Sequence, residues 1–179
     1  MKVFIYTIFC LTHLFFAISV KAEDIKSIAL EIVYEGFPYL DRLAKNDSEM
    51  FWGNYSGKVL SAGILTDARA DCAFVGRSYQ GRGFSCGFAK IENVRGSCIF
   101  TQNEKDTIIA EWNCITSASA TGDARCEGKA SFVNGTGVYS AISGVVKFHA
   151  PLVTGLDREE SLVAYWDGEV TLPSTINLQ

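Results

Sequence analysis

Side chains able to do chemistry are few and scattered in this 179-residue chain. It has two histidines, His13 and His149, and six cysteines among 20 acidic and 16 basic residues. A general base needs a positioned partner and a pocket, and His149 alternates onto the strand face opposite Phe148, which places it on an exterior. Glu111 and Glu127 fall on neighbouring strand-like runs with Lys129 close by, which is the pattern of a solvated charge cluster. No nucleophile elbow, phosphate-cradling loop or paired-acid signature occurs. There is no Cys-x-x-Cys, and His13 lies in an apolar N-terminal run, so one histidine remains for any metal set. The residues therefore nominate no catalytic group, no cofactor and no metal.

That apolar run fixes how the cysteines are read. Lys2 precedes an uncharged stretch from Val3 to Val20, and Val20-Lys21-Ala22 puts small residues at positions −3 and −1 of a signal-peptidase site. The expectation is a signal peptide over residues 1–22, cleaved after Ala22, and a secreted or periplasmic product with no transmembrane segment left. An uncleaved anchor is the competing reading, because the run is almost long enough to span a bilayer. Cleavage removes two lysines and no acids, leaving 157 residues with a net charge of about −6. No Lys/Arg cluster beyond isolated pairs appears, which argues against nucleic acid as a partner. The length suits one domain.

Five cysteines then remain, Cys72, Cys86, Cys98, Cys114 and Cys126, enough for two intramolecular bridges with one left over. Each shares strand parity with a nearby aromatic residue, as Cys98 does with Phe100 and Cys114 with Trp112, so all five should face the buried side. Cys72 and Cys86 are symmetric about Tyr79 in the Gly76-to-Gly83 region, and Cys114 and Cys126 about Ala120. Hairpins centred there predict Cys72–Cys86 and Cys114–Cys126, with Cys98 unpaired and a Cys98–Cys114 bridge as the competitor.

The elements that must position these residues read almost entirely as strands. Ile28 to Tyr34 is a first strand or a short helix, which periodicity alone does not settle. Gly36 to Glu49, with Pro38 and its charged residues, reads as a loop with room for one helical turn. Strand signals follow over Phe51 to Ile64, Asp71 to Gly76, Gly83 to Ile91, Ser97 to Thr101, Thr107 to Cys114, Ala124 to Asn134, Gly144 to Val153 and Ser161 to Leu172. The chain divides into a signal peptide (1–22), an N-terminal strand and loop (23–50) and a β domain (51–179). Closely spaced short strands indicate a sandwich or a barrel, and closure into a barrel removes exposed edges. Ile108, Ala110, Trp112 and Cys114 share one face of their strand, and Cys126, Gly128, Ala130 and Phe132 share the apolar face of the next. The small Gly128 and Ala130 leave room that Trp112 either fills itself or shares with a ligand, so Trp112 and Phe132 are the candidate ligand-binding residues. Small barrels are usually packed with side chains.

Between the last strands lies Asn134-Gly135-Thr136-Gly137-Val138-Tyr139-Ser140-Ala141-Ile142-Ser143-Gly144, followed by Val145-Val146-Lys147-Phe148-His149. It reads as strand, tight turn, strand, with Gly135, Gly137 and Gly144 as the turn residues. The segment resembles the glycine-rich element of the allene oxide cyclase-like and dirigent-type barrels, and Tyr165 to Pro173 looks like their closing strand. The resemblance, over roughly Phe51 to Pro173, implies an all-β, single antiparallel up-and-down barrel of about eight strands, here containing disulfides. In that superfamily the cyclases close an unstable lipid epoxide in an apolar cavity and dirigent proteins steer coupling of phenolic radicals. None of the cyclase's catalytic positions can be matched to a residue here. Asn46-Asp47-Ser48, Asn54-Tyr55-Ser56 and Asn134-Gly135-Thr136 fit the glycosylation sequon. The expected function is a non-enzymatic exported barrel that binds a small apolar ligand or a protein partner. The alternative is a cyclase- or isomerase-like enzyme working on an apolar substrate held in the barrel.

Overall fold

Period-two alternation of burial governs the long elements of the protein. The computed structural model describes residues 23–35, 39–45, 48–61, 63–79, 90–118, 124–151 and 163–173. The expected signal peptide, Cys86, the sequon at Asn46 and most of the Gly83-to-Ile91 strand signal lie outside the described residues. In β1 (Glu23–Tyr34) the residues Ile28, Leu30, Ile32 and Tyr34 are buried and alternate with exposed or half-buried neighbours, so this segment is a strand. There follow β2 (Tyr39–Lys45), β3 (Ser48–Leu60), β4 (Arg69–Tyr79), β5 (Lys90–Thr101), β6 (Thr107–Ala118), β7 (Ala124–Gly135), a 3-10 turn (Gly137–Tyr139), β8 (Gly144–Pro151) and β9 (Val163–Pro173).

Each strand from β3 to β9 pairs antiparallel with the next, β9 pairs with β1, and β1 returns to β3, closing an eight-stranded up-and-down barrel. The closing contact is short, running from Glu31↔Leu60 to Tyr34↔Gly57. The first half of β3 lies beyond the reach of β1, and β2 pairs with it from Tyr39↔Asn54 to Lys45↔Ser48. Gly36 to Glu49 was expected to be a loop with a helical turn, and its centre is instead this extra edge strand. The otherwise unpaired backbone of β3 selects a strand there.

Inside the ring, one layer alternates large and small side chains, and the next sets bulky rings beside a glycine. One row runs Phe74, Gly96, Trp112, Ala130, Val146, Gly168, Ile28 across six consecutive strand pairings. The next passes through Cys114, Gly128, Phe148, Trp166 and Leu30. An eight-stranded barrel is just wide enough for side chains to fill, and this alternation lets bulky rings cross the axis above glycines opposite. Outside, mid-strand positions carry Arg95, Glu111, Lys129, Lys147 and Asp167, among exposed apolar residues such as Ile99, Ile109 and Val145.

Two disulfides lie within the sheet. Cys114–Cys126 is present as expected, joining diagonal neighbours, because β6 and β7 pair with Cys114 opposite Gly128 and Cys126 opposite Thr116. Cys72 does not pair with Cys86. It is bonded to Cys98, which sits directly opposite on β5 with Cα atoms 4.0 Å apart, so Cys98 is not the unpaired cysteine. The error came from taking Gly76 as the start of the turn. Gly76 lies inside β4, where the Phe51 ring occupies the space a side chain would need, and the strand continues to Tyr79. A longer β4 moves the hairpin centre towards the C-terminus and brings Cys98 opposite Cys72.

One end of the barrel is capped by its own turns. Leu65 from the β3–β4 connection and Tyr139 and Ile142 from the β7–β8 connection are buried there. The Tyr139 hydroxyl donates to Gln102 Oε1 and accepts from the Leu65 N–H at 3.4 Å, tying three connections together. Asp106 accepts from the Val138 N–H at 2.9 Å and from Asn103 at 2.6 Å, and these bonds hold its carboxyl below the usual carboxylate range. Gly137 has φ +57°, and a Cβ there would collide with the Asp106 carboxylate and the Lys105 carbonyl.

Non-reducing peptide mapping should therefore find Cys72–Cys98 and Cys114–Cys126. A Cys72–Cys86 peptide would refute this topology. The bridges close 26- and 12-residue separations, so reduction should cost about 3 kcal/mol each and lower Tm by on the order of 10 °C per bridge. Gly137→Val should destabilise by roughly 1–3 kcal/mol or more from backbone strain and collision, whereas Val138→Ala, at an exposed position, should stay within about 0.5 kcal/mol. Equal melting midpoints for the two variants would contradict the turn geometry.

Candidate functional site

The inner face of the barrel carries two groups of contacting aromatic rings. Tyr34 and Tyr55 are inward residues of β1 and β3, with centroids 5.0 Å apart, and Tyr55 stacks on Phe74 of β4 at 4.8 Å. Phe51 continues the series, 6.2 Å from Phe74. On the opposite wall Trp112 lies 5.0 Å from Phe148, which meets Trp166 edge-on at 5.8 Å, and Phe100 and Phe132 pack on the other sides of Trp166. Inward parity on all eight strands of the ring supplies these residues, since β-branched and aromatic side chains suit a pleated, half-buried face.

The two residues expected to bind a ligand are both core residues. Phe132 is buried and packs on Trp166, and Trp112 is 8 % exposed with its ring against Gly96. The space that Ala130 leaves opposite Trp112 is taken by Phe148, which reaches over Gly128 from β8. Trp166 was quoted only as part of a closing strand, yet its rings are the hub of the cluster. The parity of Ala164, Trp166, Gly168 and Val170 was the signal that could have marked it. Tyr34 falls in the segment that periodicity leaves as strand or helix and Tyr55 inside a sequon, so neither stands out in the sequence as an interior ring.

Polar atoms in this interior are few, which makes their pairing informative. The Tyr34 hydroxyl donates to Cys72 Sγ at 3.5 Å, the disulfide sulfur having no proton of its own. Trp112 Nε1 and Trp166 Nε1 are buried N–H donors with no acceptor among the described residues. Leaving such a donor unpaired costs about 1–3 kcal/mol, so two in one aromatic cluster are a departure from ordinary core design. Burial, assisted by the neighbouring Tyr55, raises the Tyr34 phenol above its ordinary value, and burial pushes Tyr55 up to about 12. Both phenols are neutral donors at physiological pH, and neither is a base.

The outward residues behave differently. His149 is half-buried and stacks on Tyr165 at 4.9 Å, with Glu127 opposite it on β7. Glu111 is exposed and lines an open depression of about 630 Å³, together with outward residues such as Arg95, Ser97 and Asn113 and with Phe74, Gly96 and Trp112, which belong to the inner row. Neither carboxylate faces the barrel interior. Among the described residues no three His, Cys, Asp or Glu side chains converge as a metal set.

Below pH 10 the buried phenols are protonated in both the folded and the unfolded chain, so the stability of burying them neutral is complete. Their raised folded-state values mean that stability falls as pH rises from 10 towards 12, by about 1 kcal/mol per pH unit for each such phenol. Tyr55→Phe should make the alkaline loss shallower in chemical denaturation at pH 9 to 12. An unchanged slope would show that Tyr55 is not buried.

No family model, no curated protein and no solved structure matches the chain, so the likeness to the cyclase and dirigent barrels rests on the residues quoted for it.

Proposed function

We propose that this is an exported, non-catalytic β-barrel that binds a small, largely apolar molecule carrying a hydrogen-bond acceptor, such as a carbonyl or ether oxygen, against the aromatic inner wall. The observation that carries the reading is the pair of buried indole N–H groups of Trp112 and Trp166 without acceptors. A bound acceptor would relieve their desolvation cost, and the surrounding rings supply the apolar contact. Export fits the two disulfides, which persist in oxidising compartments.

The cyclase- or isomerase-like alternative draws its support from Tyr34 and Tyr55, neutral phenols on the inner face that could polarise an oxygen of a confined substrate. It lacks an interior base among the described residues, and for that reason binding is the leading reading.

Native mass spectrometry of protein purified from its own host, followed by solvent extraction, tests the proposal. A reproducible small molecule should be retained, and Trp112→Phe, which keeps a ring but deletes the N–H, should release most of it while the protein stays folded by circular dichroism. If nothing is retained and Trp112→Phe raises Tm, the donor is an unrelieved cost and the reading fails. Extraction of a pure hydrocarbon without any oxygen would also defeat the acceptor requirement.

A further inference from the structure

We infer that the outer wall of the barrel carries a second binding surface, for an acidic saccharide. The depression on β4 to β7 presents the small outward residues Ala73, Ser97 and Ser131, bordered by Arg95, Glu111 and Asn113, and reaches between the strands to Phe74, Gly96 and Trp112 of the inner row. Its volume of about 630 Å³ is in the range of small-ligand sites. The sheet register extends it into a ladder across the strands. Outward residues in direct opposition run Trp52, Val75, Arg95, Asn113, Lys129, Lys147 and end in Asp167.

Three features of this ladder select the ligand. Arg95, Lys129 and Lys147 have no ion-pair partner among the described residues, and Lys129 and Lys147 face each other directly across β7 and β8. Like charges in direct opposition destabilise a strand pair, and an anion lying across them reverses the sign of that interaction. Strands are about 4.8 Å apart, so the cations span roughly 14 Å from Arg95 to Lys147, the reach of an extended chain of negative groups and not of a single ion. Glu111 stands in the middle of the same wall with Asn113, Ser97 and Ser131. A carboxylate there repels a simple polyanion but accepts from sugar hydroxyls, which the amide and the serines also recognise. At the β3 end Trp52, 37 % exposed, presents an aromatic face of the kind that packs on sugar C–H groups. Cations for carboxylates, a mixed donor and acceptor set for hydroxyls, and an exposed indole together describe a uronic-acid oligosaccharide.

Calorimetric titration with trigalacturonate at low salt should give a Kd of about 1 mM or tighter. The fully methyl-esterified trisaccharide should bind at least about tenfold more weakly, because the cations lose their partners. Lys147→Glu should weaken trigalacturonate by about tenfold and Arg95→Ala by about threefold, while Lys58→Ala, at the capped end, should have no effect. Glu111→Gln should weaken both the acidic and the esterified sugar. These are surface substitutions and should leave Tm within about 2 °C. Tripolyphosphate binding as tightly as the sugar, equal binding of the methyl ester, or tighter trigalacturonate binding by Glu111→Gln would each overturn the inference. Trp166→Phe, which alters the interior donor pair and does not line the depression, should leave the titration unchanged, which separates a failure here from a failure of the interior site.

Discussion

The whole architecture depends on one short seam, the pairing of β1 with β3 over Glu31 to Tyr34 and Gly57 to Leu60. Without it the nine strands would form an open sheet with two free edges and an aromatic face in water. The seam is possible because Gly57 lets the two backbones close up, a Cβ there lying only 2.7 Å from the Tyr34 Cα. Once it is closed, every inward side chain faces every other, and the alternation of bulky and small residues becomes a packed interior. The Tyr34–Tyr55 contact is itself a product of the seam, since these rings come from the two strands that meet there. Both the interior chemistry and the curvature of the outer wall follow from that closure.

The strand class and much of the burial were legible in the sequence, because period-two alternation is a local property. Thr107 to Cys114 and Arg125 to Phe132 show their inner and outer faces without any knowledge of the partner strands. Register was less legible. Cys72 pairs with Cys98 because β4 runs three residues past Gly76, and a glycine inside a strand looks the same in a sequence as one in a turn. What distinguishes them is the Phe51 ring across the sheet, a contact that no local pattern encodes. The edge strand β2 was hidden for a related reason, since its polar residues fit a loop until the open half of β3 demands a partner.

The candidate site was legible in its residue types and illegible in its connections. Trp112 announced itself as an interior aromatic, but its significance rests on an N–H that lacks an acceptor, which depends on what surrounds it in space. The outer ladder was invisible for the same reason. Arg95, Asn113, Lys129 and Lys147 are separated by sixteen or more positions each, and only the registers of three successive hairpins set them in line. Lys129 appeared in the sequence merely as a neighbour of Glu127.

Both disulfides join strands that are neighbours in sequence as well as in space, and neither crosses the seam. The oxidised chain therefore carries its crosslinks in local hairpins, which can form as soon as each pair of strands has been delivered. Barrel closure is different, because β1 pairs along most of its length with β9, the last strand described, from Glu23↔Pro173 to Val33↔Val163. These contacts have the longest sequence separation in the molecule and carry the largest loop-closure entropy. The first strand of the ring thus waits for the last, and a chain synthesised from its N-terminus stays unclosed until β9 has emerged.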